Sequence, residues 1–484
     1  ATQYLGLEIS FWNFKDVLQK LYYKEKIETG VLMQLQRRAQ MSEMPETERK
    51  LLLSHTETLL SHVKPGRQLV QGFFQELSSV LKSMVAETGE TGYAVKKRYR
   101  GEDRLDEALG SYYQELSQFL HVLLGELHHL LEFLKELPDD SFRHQKQVNQ
   151  ELAAQFENVT ALRDSLHYLL SAEDDDWVYW FEISTRGGND DSRLYGAPLN
   201  IGDLLQQKLY KKLRSALFTS ATLTVGNKFN YFLDRVGLHG IEQERLNTLN
   251  LASPFHYEEQ VLLAVPTFLP EPRDPRYRTA VQEFVQQLLF EQRRGVLILF
   301  TSYGMLNDLY GSLKLVCQAE QIPLFAQGKS GSRHAIINQF KQIPHSVLLG
   351  TDSFWEGIDV PGKSLEILLI TKLPFDVPSE PVIQAKAEQI QKRGGNPFIE
   401  YTIPEAVIRF RQGFGRLIRS RADYGAVIVL DNRLTRKMYG RIFLQSLPVK
   451  SLLFNSSDEL WEKLLMWFGD GGVLLKDNSD TNQK

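Results

Sequence analysis

Short, continuous apolar runs alternating with helical segments constrain this chain more than any other feature. RSALFTSATLT, VLILFTSY, SVLLGTD, LEILLITKLPF and GAVIVLD punctuate the sequence from about residue 214 onward. Segments such as YRTAVQEFVQQLLFEQRR (277–294) lie between them, with apolar residues at helical spacing. Runs this short and rich in Val, Ile and Leu suit strands buried on both faces, and the intervening helices supply the crossovers of a parallel sheet. Ligands of such sheets bind beyond the carboxyl ends of the strands. The residues just past the runs are Thr219-Ser220-Ala221-Thr222, Thr301-Ser302-Tyr303, Gly350-Thr351-Asp352 and Asp431-Asn432-Arg433. Hydroxyls, glycine and charge gather there, which is chemistry suited to phosphate.

The first third reads differently. ISFWNFKDVLQKLYYKEKI, residues 103–137 and residues 152–170 carry apolar residues three and four apart with charges between, the pattern of amphipathic helices in a bundle. GETGYAVKKRYRGED reads as an exposed basic turn, WVYWFEI (177–183) as a strand, and RGGNDDSRLYG as a loop. The adjacent His128 and His129 face different ways on a helix and suit no metal. The EDDD run at 173–176 reads as a solvated linker.

Composition excludes several classes. The 484 residues suggest about two to four domains. A net charge of −4 with 24% charged residues gives no global pull toward nucleic acid, so any basic surface must be local. The one cysteine, Cys317, permits neither an intrachain disulfide nor a four-cysteine iron–sulfur or zinc site, and suits a reducing cytosol. Cys317 reads as a packing residue inside the helical stretch GSLKLVCQAEQ.

Gly357–Ser364, GIDVPGKS, fits the phosphate-loop pattern G-x-x-x-x-G-K-[ST] letter for letter. A phosphate loop needs a helix directly after it, its N-terminus facing the anion. Here LEILLI follows, and then TKLPFDVPSEP, whose three prolines forbid a helix. Lys363 therefore precedes a strand. A second near-match, Gly328-Lys-Ser330, has Pro323 where the first glycine belongs.

IPEAVIRFRQGFGRLIRSR (403–421) reads as one helix, with a possible capping box from Thr402 and Glu405. At about 100° per residue, Arg409, Gln412, Arg416 and Arg419 share an arc of roughly 80°. Val407, Phe410, Phe414, Leu417 and Ile418 lie opposite. Gly413 and Gly415 cost about 1 kcal/mol each in a helix, which a close approach would offset. An arginine row suits phosphate oxygens better than a plain solvated face requires.

Together the segments SATLT (220–224), LFTSY (299–303), GTDSFWEGIDVPG (350–362), KLPFDVPSEP (372–381) and QGFGRLIRSR (412–421), in that order, resemble the superfamily 2 helicases of the DinG/XPD type. LYGAPLNIGDLL (194–205), SPFHYEEQ (253–260) and AVIVLDNR (426–433) are similar to that group as well. The resemblance spans residues 177–440.

It implies a fold of α/β plus all-α class: a RecA-like parallel-sheet motor domain 2 with the end of motor domain 1 and a helical arch-like insert. The expected division is an arch-like domain at 1–172, the end of motor domain 1 at 173–235, motor domain 2 at 236–476 and a polar tail at 477–484. It implies a 5′→3′ DNA helicase using ATP and Mg²⁺ on single-stranded or forked DNA in the bacterial cytoplasm. Arg419 would be the arginine finger, Arg416 a γ-phosphate contact and Gln412 their positioner. Glu356, Gly357 and Asp359 would line the nucleotide cleft. Thr222, Ser302, Tyr303, Gln327, Gly328 and Thr351 would contact the strand or couple it to the cleft. Phe354 and Trp355 read as core rather than as stacking platforms.

The phosphate loop and DEAH box of such helicases, which carry the catalytic lysine and Mg²⁺ ligands, do not occur in this sequence. The expectation is a C-terminal portion of a longer protein, inactive alone, with its partner motor region and possibly an exonuclease domain upstream. No Fe–S cluster is expected within this chain. Two alternatives stay open: a non-catalytic DNA- or partner-binding module, and a self-contained ATPase using Lys363.

Overall fold

The computed structural model describes residues 5–25, 27–86, 94–186, 189–357, 360 and 362–477. Contacts divide the chain into two compact units: residues 1–200 with 378–386, and residues 201–377 with 387–484.

The first unit is built on helices α1 (Phe11–Leu21), α2 (Val31–Gln40), α3 (Glu46–Ala86), α4 (Leu105–Glu136) and α5 (Gln145–Ser171). Ser10 starts α1 by accepting the Asn13 N–H at 3.3 Å. In α3 the buried positions Leu52, Thr56, Leu59, Val63, Gly66, Val70, Phe73 and Leu77 recur at alternating four- and three-residue steps. Leu116, Leu120, Leu123, Leu127, Leu130 and Leu134 of α4 do the same. These are the seams of a coiled-coil-like pair. Gly66 is the hole that receives a knob: a Cβ there would lie 2.3 Å from Phe119 Cζ. His55 meets Phe133 at 5.4 Å between ring centroids, so the two helices run antiparallel.

An antiparallel sheet completes this unit, formed by β1 (Leu7–Ser10), β2 (Ala94–Tyr99), β3 (Trp177–Arg186) and β4 (Asn189–Pro198) in the order β1-β4-β3-β2. Two expectations fail here. Strand β2 occupies the end of the supposed basic turn, and β4 occupies the supposed loop. Their charges are engaged in ion pairs. Lys96 lies opposite Glu182 and pairs with it at 3.1 Å, and with Glu380 at 3.0 Å. Arg193 pairs with Asp191 at 2.6 Å and Glu8 at 3.2 Å. One face of the sheet packs Tyr179, Phe181, Ile183 and Leu194 into the helical core. On the other, Val178, Trp180 and Ala197 cover Val382 and Ala385. The unit therefore continues past residue 172 to Asn200.

The second unit holds seven parallel strands: β5 (Val261–Pro266), β6 (Val296–Leu299), β7 (Leu324–Ala326), β8 (Val347–Gly350), β9 (Ile367–Ile370), β10 (Gly425–Val429) and β11 (Ser451–Phe454). Their order is β11-β5-β10-β9-β6-β8-β7, a RecA-like sheet buried on both faces. Helices α6 (Tyr277–Glu291) and α7 (Tyr303–Ala319) with the C-terminal Ser457–Asp477 helix cover one face. Helix α8 (Arg333–Gln342), the short turn α9 (Asp352–Trp355) and α10 (Ile403–Phe414) cover the other. After β6 the chain builds β7 and β8 on one side and then β9 on the other, so the topological switch falls at β6.

RSALFTSATLT forms no strand. Residues 213–221 form neither helix nor strand and are exposed, with Leu217 90% accessible. Cys317 is buried in α7 at 1% exposure, as expected.

Candidate functional site

Beyond the ends of β6, β7 and β8, the side-chain amide of Gln327 joins two of the expected residues, Tyr303 and Thr351, and Ser353 as well. Its oxygen accepts the Thr351 N–H at 2.8 Å and the Thr351 hydroxyl at 3.0 Å. Its nitrogen donates to Tyr303 Oη at 2.5 Å and Ser353 Oγ at 3.2 Å. Tyr303 stays 53% exposed, whereas Thr351 is 2% exposed with its hydrogen-bonding groups turned inward. Ser302 caps α7 by accepting the Met305 N–H at 3.4 Å. Gly328, at φ 75°, makes the turn after β7 in a conformation that disfavours side chains. Ser302, Tyr303 and Gly328 thus form an exposed polar rim that Gln327 and Thr351 brace from beneath.

A second cluster surrounds Trp355, which is fully buried with Phe354, as expected of core residues. Its indole N–H donates to the Phe300 carbonyl at 3.0 Å. At Gly413 a Cβ would fall 2.7 Å from the Trp355 ring, so the glycine exists to let α10 lie on the indole. Arg416 Nε donates to the Trp355 carbonyl at 2.9 Å. Arg333 donates to the Ser353 carbonyl at 2.8 Å and the Glu356 carbonyl at 2.9 Å, fixing the start of the Glu356-Gly357 segment. Both residues are exposed, and Gly357 has φ 68°. Asp359 lies outside the described residues.

The long arginine helix is corrected by the structure. It ends at Phe414, and Arg416 and Arg419 lie on the turns that follow. The Gly415 N–H returns to the Arg411 carbonyl at 2.9 Å. The buried Asp423 carboxylate then accepts from Arg419 N–H at 2.6 Å, Ser420 N–H at 2.7 Å, Ser420 Oγ at 2.9 Å and Gly362 N–H at 3.1 Å. Charge-assisted bonds of this kind outweigh another helical turn. Gln260 Nε2 holds the same loop through the carbonyls of Arg421 at 3.1 Å and Asp423 at 2.8 Å. Arg409 is withdrawn from the expected row by an ion pair with Asp376 at 2.5 Å. Gln412 is half-buried beside the turn. The expected capping box is also absent: Thr402 belongs to a π-helical turn, Phe398–Thr402, and makes no capping bond. Glu405 instead meets Tyr231 Oη and Arg235, the latter at 3.4 Å.

The Ser220–Thr224 turn reaches this cluster through Arg411, which donates to the carbonyls of Thr224 at 2.6 Å and Ala221 at 2.8 Å. Thr222 itself is half-buried, its N–H bonded to Ser220 Oγ at 3.2 Å. Asp423, Gln260, Arg411 and Arg333 are the site residues that sequence reading missed. Asp423 alone carried a local signal, a carboxylate just after an arginine-rich turn.

The described end of GIDVPGKS leads into a strand and not into a helix. Gly362–Ser364 is a single 3₁₀ turn leading into β9. The Gly362 N–H is taken by Asp423, and Ser364 Oγ donates to the Lys341 carbonyl at 2.8 Å. Among the described residues, no group of three or more His, Cys, Asp or Glu side chains could hold a metal ion. Arg416 and Arg419 suit phosphate charge. No helix among the described residues is long and apolar enough to cross a membrane.

Residues 285–450 match the helicase C-terminal domain family. The chain is 30% identical over 470 residues to the 3′-5′ exonuclease DinG of Bacillus subtilis, covering 95% of this chain and 48% of that protein. It is 37% identical over 303 residues to the ATP-dependent DNA helicase YoaA of Haemophilus influenzae, covering 63% and 45%. With the ATP-dependent DNA helicase DinG of Photobacterium profundum it shares 38% identity over 256 residues, covering 52% and 36%. The chain thus spans about half the length, or less, of these curated relatives. A solved apo XPD structure aligns at a TM-score of 0.49 and 14% identity, covering 93% of this chain and 73% of that one.

Proposed function

Because the chain is a relative of the DinG/XPD-type superfamily 2 helicases, we propose that it supplies one wall of the ATP site and part of the single-strand track of such a motor. The observation that carries this reading is the arginine turn. Asp423 and Gln260 fix the backbone of the Arg419 loop where the chain enters β5 and β10, and the Trp355 carbonyl holds the Arg416 guanidinium beside Glu356-Gly357. Arginines fixed in advance cost no reorganisation when charge develops on a transferring phosphoryl group. In this reading Arg419 is the arginine finger, Arg416 contacts the γ-phosphate and Gln412 positions both. Glu356, Gly357 and Asp359 line the cleft.

ATP supplies the phosphoryl group, and the residues that would hold Mg²⁺ and the β-phosphate belong to a motor region that this sequence lacks. That region is the proposed partner, with an exonuclease domain a further candidate given the name of the Bacillus relative. Within the second unit, residues from 236 onward are then motor domain 2 and residues 201–235 the end of motor domain 1, and the helical unit is an arch-like insert. Ser302, Tyr303 and Gly328 contact the backbone of single-stranded or forked DNA, braced by Gln327 and Thr351, while Thr222 couples strand to cleft. Movement is 5′→3′, in the bacterial cytoplasm.

Two reasons favour this over Lys363 acting as a phosphate-loop lysine: a strand follows it, and Gly362 is already bonded. The test is single-strand-stimulated ATP hydrolysis by a longer protein containing this chain. Arg419→Ala should lower the rate by about 10³-fold, and hydrolysis at the parental rate would refute the assignment. This chain alone should hydrolyse no ATP.

A further inference from the structure

Arg411 lies in the last turn of α10, immediately before Gln412, and belongs to none of the readings above. Its guanidinium forks into the Ser220–Thr224 turn. Nη1 donates to the Thr224 carbonyl at 2.6 Å and to Thr224 Oγ1 at 3.0 Å, and Nη2 donates to the Ala221 carbonyl at 2.8 Å. Thr224 is 6% exposed, so this fork closes over a buried group. The Arg411 carbonyl accepts the Gly415 N–H at 2.9 Å, the bond that ends α10 and begins the arginine turn. One residue therefore has its side chain in one segment and its backbone at the root of the other.

The fork requires arginine. Two carbonyls and a hydroxyl are spanned by one planar group, and a lysine ammonium is a point charge that cannot bridge them. A half-buried guanidinium bonded in this way is screened little by solvent.

We propose that Arg411 is a positioning residue that makes the Ser220–Thr224 turn and the Arg416–Arg419 turn respond as one. Its functional meaning rests on the helicase reading: a shift of the arginines against phosphate is delivered to the Thr222 segment. By reciprocity, a strand bound near Thr222 biases the arginines.

Backbone amide hydrogen exchange on this chain, without nucleotide or DNA, tests the coupling. Asp423→Asn weakens the charged acceptor of the arginine turn, and the Arg419 and Ser420 amides should exchange about tenfold faster. With Arg411 in place, the amides of residues 221–224 should follow by about threefold or more. In an Arg411→Ala background the arginine turn alone should respond. Arg411→Lys, which keeps the charge and loses the fork, should behave as Arg411→Ala. Unchanged protection in β6 and β8 identifies folded variants, and Ser420→Ala serves as the milder perturbation if Asp423→Asn unfolds the unit. The proposal is overturned if 221–224 stay unchanged while the arginine turn loosens, or if their response survives Arg411→Ala. The readout needs no catalysis. Loss of the helicase reading would come from hydrolysis assays, and loss of the clamp from exchange.

Discussion

Gly413→Ala sets two opposed effects against each other at the heart of the site. In a helix interior, alanine in place of glycine gains about 1 kcal/mol. At Gly413 the new Cβ would lie 2.7 Å from Trp355 Cε3, 2.8 Å from Cζ3 and 3.3 Å from Leu299 Cδ1. Trp355 has little room to retreat, being fully buried with its N–H held by the Phe300 carbonyl. Overpacking of this kind costs about 2 kcal/mol, and straining a buried hydrogen bond about 1 kcal/mol more. The contact outweighs propensity, and the second unit should lose about 2 kcal/mol. Gly311→Ala is the control: it lies on an exposed face of α7 with nothing within 4 Å, and should gain about 1 kcal/mol. Urea unfolding followed by tryptophan fluorescence reports both as midpoint shifts of opposite sign. A Gly413→Ala chain as stable as the parent, beside a stabilised Gly311→Ala chain, would refute the packing of α10 on the indole.

Other perturbations follow from single contacts. Asp431 is fully buried, pairs with Arg433 at 2.5 Å and accepts the Leu373 N–H at 2.9 Å. Asp431→Ala should cost about 3–5 kcal/mol in urea unfolding, and a loss under about 1 kcal/mol would contradict the pair. Burial pushes the Cys317 thiol up to about 11 from its ordinary 9. A thiol reagent at pH 8 should therefore label only unfolded chain, and labelling of folded protein at the free-thiol rate would contradict the burial. Since folding raises this pKa, the associated stability is fully present below pH 9 and is lost as pH rises through about 11. Lys363→Ala should leave hydrolysis by the longer protein within about twofold of the parent, and abolition would restore Lys363 as a phosphate ligand.

How legible each part was depends on how local its cause is. β6, β8, β9 and β10 announce themselves because strands buried on both faces need continuous apolar residues. The leucine spacing of α4 is equally plain. Strands β2 and β4 stayed hidden because Lys96 and Arg193 carry charges that read as solvent-facing until their ion pairs with Glu182, Asp191 and Glu8 are seen. RSALFTSATLT has the residues of a strand, but a strand needs a neighbour's edge, which composition cannot supply. At the site, Trp355 and Phe354 were legible as core. The end of α10 was not, since it depends on Asp423 and on Gln260, far away in the chain. Arg411 escaped notice for the same reason, because Thr224 lies nearly two hundred residues before it.

An arginine finger acts on the transition state more than on the bound nucleotide, so affinity for a transition-state mimic probes it most directly. In a longer protein containing this chain, ADP with aluminium fluoride should bind about a hundredfold or more tighter than ADP alone. Arg419→Lys should leave ADP affinity nearly unchanged and reduce that preference to less than about tenfold. A variant that keeps the full preference would show that Arg419 faces no transferring phosphate.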